Sequence, residues 1–261
     1  MKKKTAYLFI TIIALVLFIL NYSWMDGILI KNFESGSEEA FVLRIVDGDT
    51  IDSSIGKIRL LGINTPEKGE RGYQEAKDFL NKTLLNKTVT LEFGKDKKDR
   101  YNRTLAYIFL ESNNINLEIV KRGFANPYFP SGKDEYYSLF YSAWEECVKE
   151  GDYYCKNSEE KCAKCIGVKS IDTYDQEVVF SNVCDFVCNI ESWSVKDEGR
   201  KVFVFNKTEV ISNSELKLIV GNKTSSENVV YWKRADYVWT STGDALFLRD
   251  SKGDLVTWKR I

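Results

Sequence analysis

The chemistry-bearing side chains of this sequence gather at the ends of apolar runs. Asp47 and Asp49 occupy the turn "VDGDT". Arg59 opens "RLLGINTPE", which Asn64, Thr65 and Glu67 close, and Arg103 lies in "DRYNRTLAY" just before another apolar run. A strand that served only to fill a core would need none of these polar ends. Two arginines, a pair of aspartates and a glutamate suit a phosphodiester. The planar guanidinium binds phosphate oxygens bidentately and stays charged. Aspartate oxygens suit a hard cation such as Ca²⁺, and a glutamate beside a water can orient it or take its proton.

Composition narrows the alternatives. The 261 residues contain no histidine, which excludes imidazole acid–base catalysis and histidine metal ligation. Net charge is −1, so the whole chain is not a basic nucleic-acid binder. Residues 41–130 nevertheless hold 15 Lys/Arg against 12 Asp/Glu, whereas residues 131–167 hold 5 against 8. A polyanion site therefore belongs in the first folded segment.

The elements that must position these residues follow from pattern. "FVLRIVDGDTIDSSIGKIRLLGIN" alternates and turns like three strands, with Arg59 beginning the third. "YQEAKDFLNKTLL" places Ala76, Phe79, Leu80 and Leu84 at helical spacing. "TVTLEF" and "TLAYIFL" read as two further strands, and "NLEIVKRG" and "DEYYSLFYSAWEECVKEG" as helices stopped by Gly123 and Gly151. Five strands with interposed helices give an α+β, barrel-like domain over residues 40–151. A polar, cysteine-rich linker, 152–167, precedes a change of texture: from residue 168 to 261 short strands alternate with turn residues, the pattern of an all-β sandwich.

"VDGDTI", "IRLLGINTPE", "YQEAKDFL", "DRYNRTLAYIF" and "EIVKRGFA" together resemble the thermonuclease, staphylococcal-nuclease-like family over residues 41–150. The resemblance implies an OB-fold barrel with helices and Ca²⁺-dependent cleavage of DNA and RNA. It assigns the metal to Asp49 with the carbonyl of Thr65, the phosphate clamp to Arg59 and Arg103, the attacking water to Glu67 and the nucleotide pocket to Tyr101. Asn64 departs from the pattern, which has a second metal-binding aspartate there. An asparagine oxygen can still coordinate Ca²⁺, with one negative charge fewer.

"NIESWSVKDEGRKVFVF" and "VWTSTGDALFLRDSKGDLV" resemble the lamin-tail domain, an immunoglobulin-like sandwich that serves as a targeting or interaction module. That resemblance implies a surface or protein partner, with Trp193, Trp232 and Trp239 expected in the core. The six cysteines are Cys147, Cys155, Cys162, Cys165, Cys184 and Cys188. The last four have near zinc-ribbon spacing, but outside the cytoplasm disulfides are the expectation. The compartment follows from the N-terminus. Lys2–Lys4 precede an uncharged run from Thr5 to Trp24, about the ~20 residues that span a bilayer. Residues 1–24 are expected to be an uncleaved transmembrane anchor, with a cleaved signal peptide as the rival, and 25–39 a spacer. Either places the remainder outside the cytoplasm. Six Asn-x-Ser/Thr triplets, at Asn21, Asn81, Asn86, Asn102, Asn206 and Asn222, agree with that location.

Overall fold

The computed structural model describes residues 37–233 and 237–261. The expected anchor and most of the spacer lie outside the described residues. Among the described residues no helix is long and apolar enough to cross a membrane.

Period-two burial builds the first part. In β1 (Ser37–Ile45) Ala40 and Val42 are buried while Phe41 and Leu43 face outward. β2 (Thr50–Ser53), β3 (Gly56–Leu60), β4 (Gly62–Asn64), β5 (Thr88–Lys98), β6 (Thr104–Leu110) and the short β7 (Asn113–Asn114) follow. Neighbours run in the order β3-β2-β1-β5-β6-β7, and a parallel pairing of β3 with β6 closes the first five into an OB-fold-like barrel, with β7 added at the side of β6. Three helices plug and flank it. α1 (Tyr73–Leu84) buries Ala76, Leu80 and Leu84, which share one helical face. α2 (Ile115–Lys121) is capped by the Asn114 side chain, which accepts the Leu117 N–H at 3.0 Å. α3 (Tyr137–Glu150) buries Phe140, Tyr141 and Trp144 and ends at Gly151.

One strand differs from the sequence expectation. "IRLLGIN" is two strands, so Arg59 stands inside β3 and Asn64 ends β4. The break is the turn at Leu61, and Gly62, which opens β4, has a φ of +74°. A Cβ there would lie 3.0 Å from the Phe140 ring and 3.2 Å from Tyr107, so the bend needs glycine both for its dihedral and for space. It turns β4 away from the barrel to pair with β8 (Asn126–Tyr128), placing Asn64 opposite Asn126.

The second part is all-β. β9 (Ile166–Asp172), β10 (Glu177–Asn182), β15 (Glu215–Val220) and β16 (Val229–Trp232) form one four-stranded sheet. β12 (Ser194–Lys196), β13 (Val202–Val204), β17 (Ala245–Arg249) and β18 (Leu255–Arg260) form another, and the short β11 (Cys188–Asn189) and β14 (Glu209–Val210) pair with each other. Phe180 and Leu218 from the first share a core with Val195 and Leu248 from the second, and Trp193, Trp232 and Trp239 are buried there, as expected. The cysteines pair as Cys147–Cys155, Cys162–Cys188 and Cys165–Cys184. The first pins the end of α3 to the linker, and the other two pin the linker to the sandwich.

The two parts are not merely strung together. All five residues of β17 are buried. Leu246 and Leu248 enter the sandwich core, whereas Ala245 and Phe247 belong to the barrel's core, with the Phe247 ring edge-on to Trp144 at 5.3 Å. A second buried contact comes from the turn between β12 and β13, residues 197–201. Glu198 accepts the Phe129 N–H at 3.1 Å and the Tyr141 hydroxyl. Burial pushes the Glu198 carboxyl up to about 7. The two donors oppose that rise, and the nearby Asp244 and Asp197 add to it. Burial also raises Asp197, to about 6, against the opposing Lys201 N–H, with Asp244 adding to the rise.

A folded-state pKa above the unfolded 4.5 gives Glu198 a stabilising contribution that is complete below about 4.5 and is lost as pH rises through about 7. The loss is on the order of 3 kcal/mol. The melting temperature is therefore expected to fall between pH 5 and pH 8, and Glu198→Gln should flatten most of that slope, leaving the share of Asp197. Parallel melting profiles for the two proteins would show that Glu198 does not titrate in this window.

Candidate functional site

The "VDGDT" turn is built by its own polar groups. The Asp49 N–H donates to Asp47 Oδ1 at 3.1 Å and the Val46 N–H to the Thr50 carbonyl at 3.0 Å. Gly48 lies against α1 and the 64–67 loop: a Cβ would stand 2.7 Å from Ala76 Cβ and 2.9 Å from Thr65 Oγ1. The β2–β3 register sets Thr50 opposite Arg59, which brings the turn's carboxylate to the arginine. Asp49 is buried, with Oδ2 at 3.1 Å from Arg59 Nη2 and 3.3 Å from the Thr65 hydroxyl, and Oδ1 accepting the Thr50 hydroxyl at 2.9 Å. Arg59 also donates to the carbonyls of Leu60 and Ile63, which fixes its fork. Asp47 is raised above the usual carboxylate range, chiefly by burial and next by the charge of Asp49.

Arg103 reaches the same place from the other side. Asp99 accepts the N–H groups of Tyr101 and Arg103, each at 2.9 Å, and so holds the loop before β6. Its Oδ2 is 2.7 Å from Arg103 Nε. Burial pushes the Asp99 carboxyl up, but the donors from Arg103 and Tyr101 outweigh it and the net direction is down. Arg103 Nη1 lies 3.5 Å from Thr50 Oγ1, so Arg103, Thr50, Asp49 and Arg59 form one chain of contacts. Tyr101 is exposed beside it, with the Arg103 guanidinium 5.5 Å from its ring. Arg59, Asn64, Tyr101 and Arg103 line a cleft of about 720 Å³.

Glu67 stands at the edge of this arrangement and does not line the cleft itself. Its N–H donates to Glu70 Oε2 at 2.8 Å, and its own carboxylate Oε1 is 2.6 Å from Arg200 Nε. Arg200 does line the cleft. Asn64 is buried and its Nδ2 donates to the Gly199 carbonyl at 2.8 Å, so its amide nitrogen serves the sandwich turn. Among the described residues no group of three or more His, Cys, Asp or Glu is arranged to hold a metal ion.

The sequence motifs did not single out Arg200, Tyr128 or Asp99, all of which line the cleft with Arg59 and Arg103. Asp99 was readable, because a carboxylate four residues before an arginine in a turn commonly caps that loop. Nothing local to "DEGRK" points to Glu67, because the two meet only through the tertiary fold.

Comparison with known proteins converges on the same segment. The family model described as "Staphylococcal nuclease homologue" matches residues 57–151. The "Thermonuclease" of Staphylococcus intermedius is 34% identical over 161 residues, covering 58% of this chain and 96% of that protein. The "Thermonuclease" of Staphylococcus hyicus is 31% identical, covering 57% and 95%. "Endonuclease YhcR" of Bacillus subtilis is 37% identical over 136 residues, covering 44% of this chain and 11% of that protein. With the barrel, the turn and both arginines in place, and nearly the full length of two thermonucleases covered, this chain belongs to the staphylococcal nuclease homologue family.

Proposed function

We propose that the protein is a Ca²⁺-dependent nuclease that hydrolyses phosphodiester bonds of DNA, RNA or both, anchored in the membrane with its folded part outside the cytoplasm. The observation that carries the reading is the linked set Arg103–Thr50–Asp49–Arg59 at a cleft of nucleotide dimensions. The relatives named as thermonucleases and endonucleases support it.

The residues fit a hard cation. Asp47 and Asp49 supply two carboxylates from one turn, and the Thr65 hydroxyl lies 3.3 Å from Asp49 Oδ2, so hard oxygen donors converge there. Asp49, the Thr65 carbonyl and the Asn64 amide oxygen would hold it, with water completing the shell. Bound Ca²⁺ would supply positive charge to the scissile phosphate. Arg59 and Arg103 hold the phosphate and stabilise the charge that builds on its oxygens. Tyr101 offers a ring for a base to stack on. Glu67 takes a proton from water as the water oxygen bonds to phosphorus and the P–O ester bond breaks, the electron pair leaving with the ester oxygen.

The three cysteine pairs and the lysine-flanked apolar run support an oxidising, extracytoplasmic setting. The sandwich is read as a lamin-tail-like module for a surface or protein partner. The test incubates the purified chain with plasmid DNA and with RNA, in Ca²⁺ and in excess chelator. Cleavage in Ca²⁺ that stops in chelator is the expected result. Undiminished cleavage in chelator would remove the metal, and binding without cleavage in both would leave a nucleic-acid-binding protein.

A further inference from the structure

The segment from Glu67 to Arg71 is held from outside the family's own domain. Arg200 meets Glu67 at 2.6 Å, Lys196 lies 4.0 Å from Glu70, and Arg71 pairs with Asp254. All three partners come from the sandwich, beyond residue 151 where the family match ends. Ion pairs between exposed side chains hold little by themselves. Here they rest on a fixed base. The Asn126 and Asn64 side-chain amides, opposite each other across β4 and β8, donate to the consecutive carbonyls of Glu198 and Gly199 at 2.9 and 2.8 Å. Asp197 Oδ1 accepts the Lys201 N–H at 2.9 Å, and Glu198 is buried against Tyr141 and Phe129. The backbone before Arg200 is thus fastened to the barrel and the turn is closed on itself by the Lys201 N–H, so the guanidinium has only its own side chain to order.

We infer that Arg200 is a positioning residue for Glu67, and that the sandwich turn 197–201 is a working part of the hydrolytic site. The inference rests on the nuclease reading above and deepens it. Arg200 engages Oε1, one of two carboxylate oxygens, and so sets the direction of the other. A general base must stand within hydrogen-bond reach of its water, and a misplacement of ~1 Å costs about a hundredfold in rate. Holding a carboxylate that lies on an exposed loop is the task that this geometry performs.

The experiment measures kcat and KM of the full chain on single-stranded DNA for wild type, Arg200→Ala, Arg200→Lys, Glu67→Gln and the Arg200→Ala/Glu67→Gln pair, with melting curves for each. Arg200→Ala should lower kcat by about tenfold to a hundredfold while KM and melting temperature stay near wild type. Arg200→Lys should recover part of the loss. In the Glu67→Gln background the same alanine should change kcat little, because no base remains to be placed. A full further loss in that background, or a change confined to KM and its salt dependence, would make Arg200 a phosphate contact and overturn the positioning role. A loss of kcat matched by a lowered melting temperature in both backgrounds would reduce Arg200 to a structural tie. An inactive wild type would instead reject the nuclease reading, which separates the two failures.

Discussion

Glu67→Gln is expected to lower kcat by at least about a hundredfold with KM nearly unchanged, the low end for loss of a placed acid–base group. Glutamine keeps the shape of the side chain and an Oε1 that can still accept from Arg200 Nε, the contact seen at 2.6 Å. The N–H of residue 67 still has Glu70 Oε2 at 2.8 Å to donate to. Docking of the loop is therefore preserved, and only the capacity to take a proton is removed. The phosphate side is untouched, because Arg59 and Arg103 are held by Asp49 and Asp99 with no help from Glu67. Steady-state rates at saturating substrate decide the matter. A kcat within a few-fold of wild type would dismiss Glu67 as the base.

The parts of this site that were legible in the sequence are those whose geometry is local. Asp47 and Asp49 share a turn closed by the Asp47 carboxylate and the Val46–Thr50 backbone bond, and Arg103 is held by Asp99 four residues earlier. Arg59 and Asp49 needed one hairpin register to meet, and the Ile55-Gly56 turn announced that hairpin. Strand alternation gave the barrel, except where Gly62 turns the third strand.

What stayed hidden was the dependence of one part of the chain on another. Asn64 looks in sequence like a weakened metal ligand. In the fold its amide donates to Gly199, 135 residues on, and an aspartate there would set a carboxylate oxygen against that carbonyl. The departure from the family pattern thus has a structural cause in the added sandwich, whatever its Oδ1 contributes to a metal. A signal for the shared core did exist. "ALFL" is a short continuous apolar run in a region of alternating strands, and such a run marks a strand covered on both faces. It says that something covers the second face; it does not say that the cover is α3.

That double burial makes a removal in the sandwich a removal from the barrel. Phe247→Ala is expected to destabilise the protein by about 3–5 kcal/mol, the usual loss for a buried phenylalanine. The ring is 1% exposed and sits edge-on to Trp144 of α3, which also contacts Trp258 of β18. Trp258 in turn stacks on Tyr141, the residue that bonds Glu198. The hole would open in the cluster that holds Leu60 and Ile63, the residues flanking the bend behind Arg59. Leu248→Ala, on the opposite face of the same strand, empties the sandwich core instead. If the barrel and sandwich unfold as one cooperative unit, both variants should lower a single melting transition, and Phe247→Ala should lower the temperature at which nuclease activity is lost by on the order of 10 °C. Calorimetry alongside an activity-loss curve tests this. Two separate transitions, with the one that carries activity unmoved by Phe247→Ala, would mean that the barrel stands without the sandwich and that β17 lends it no stability.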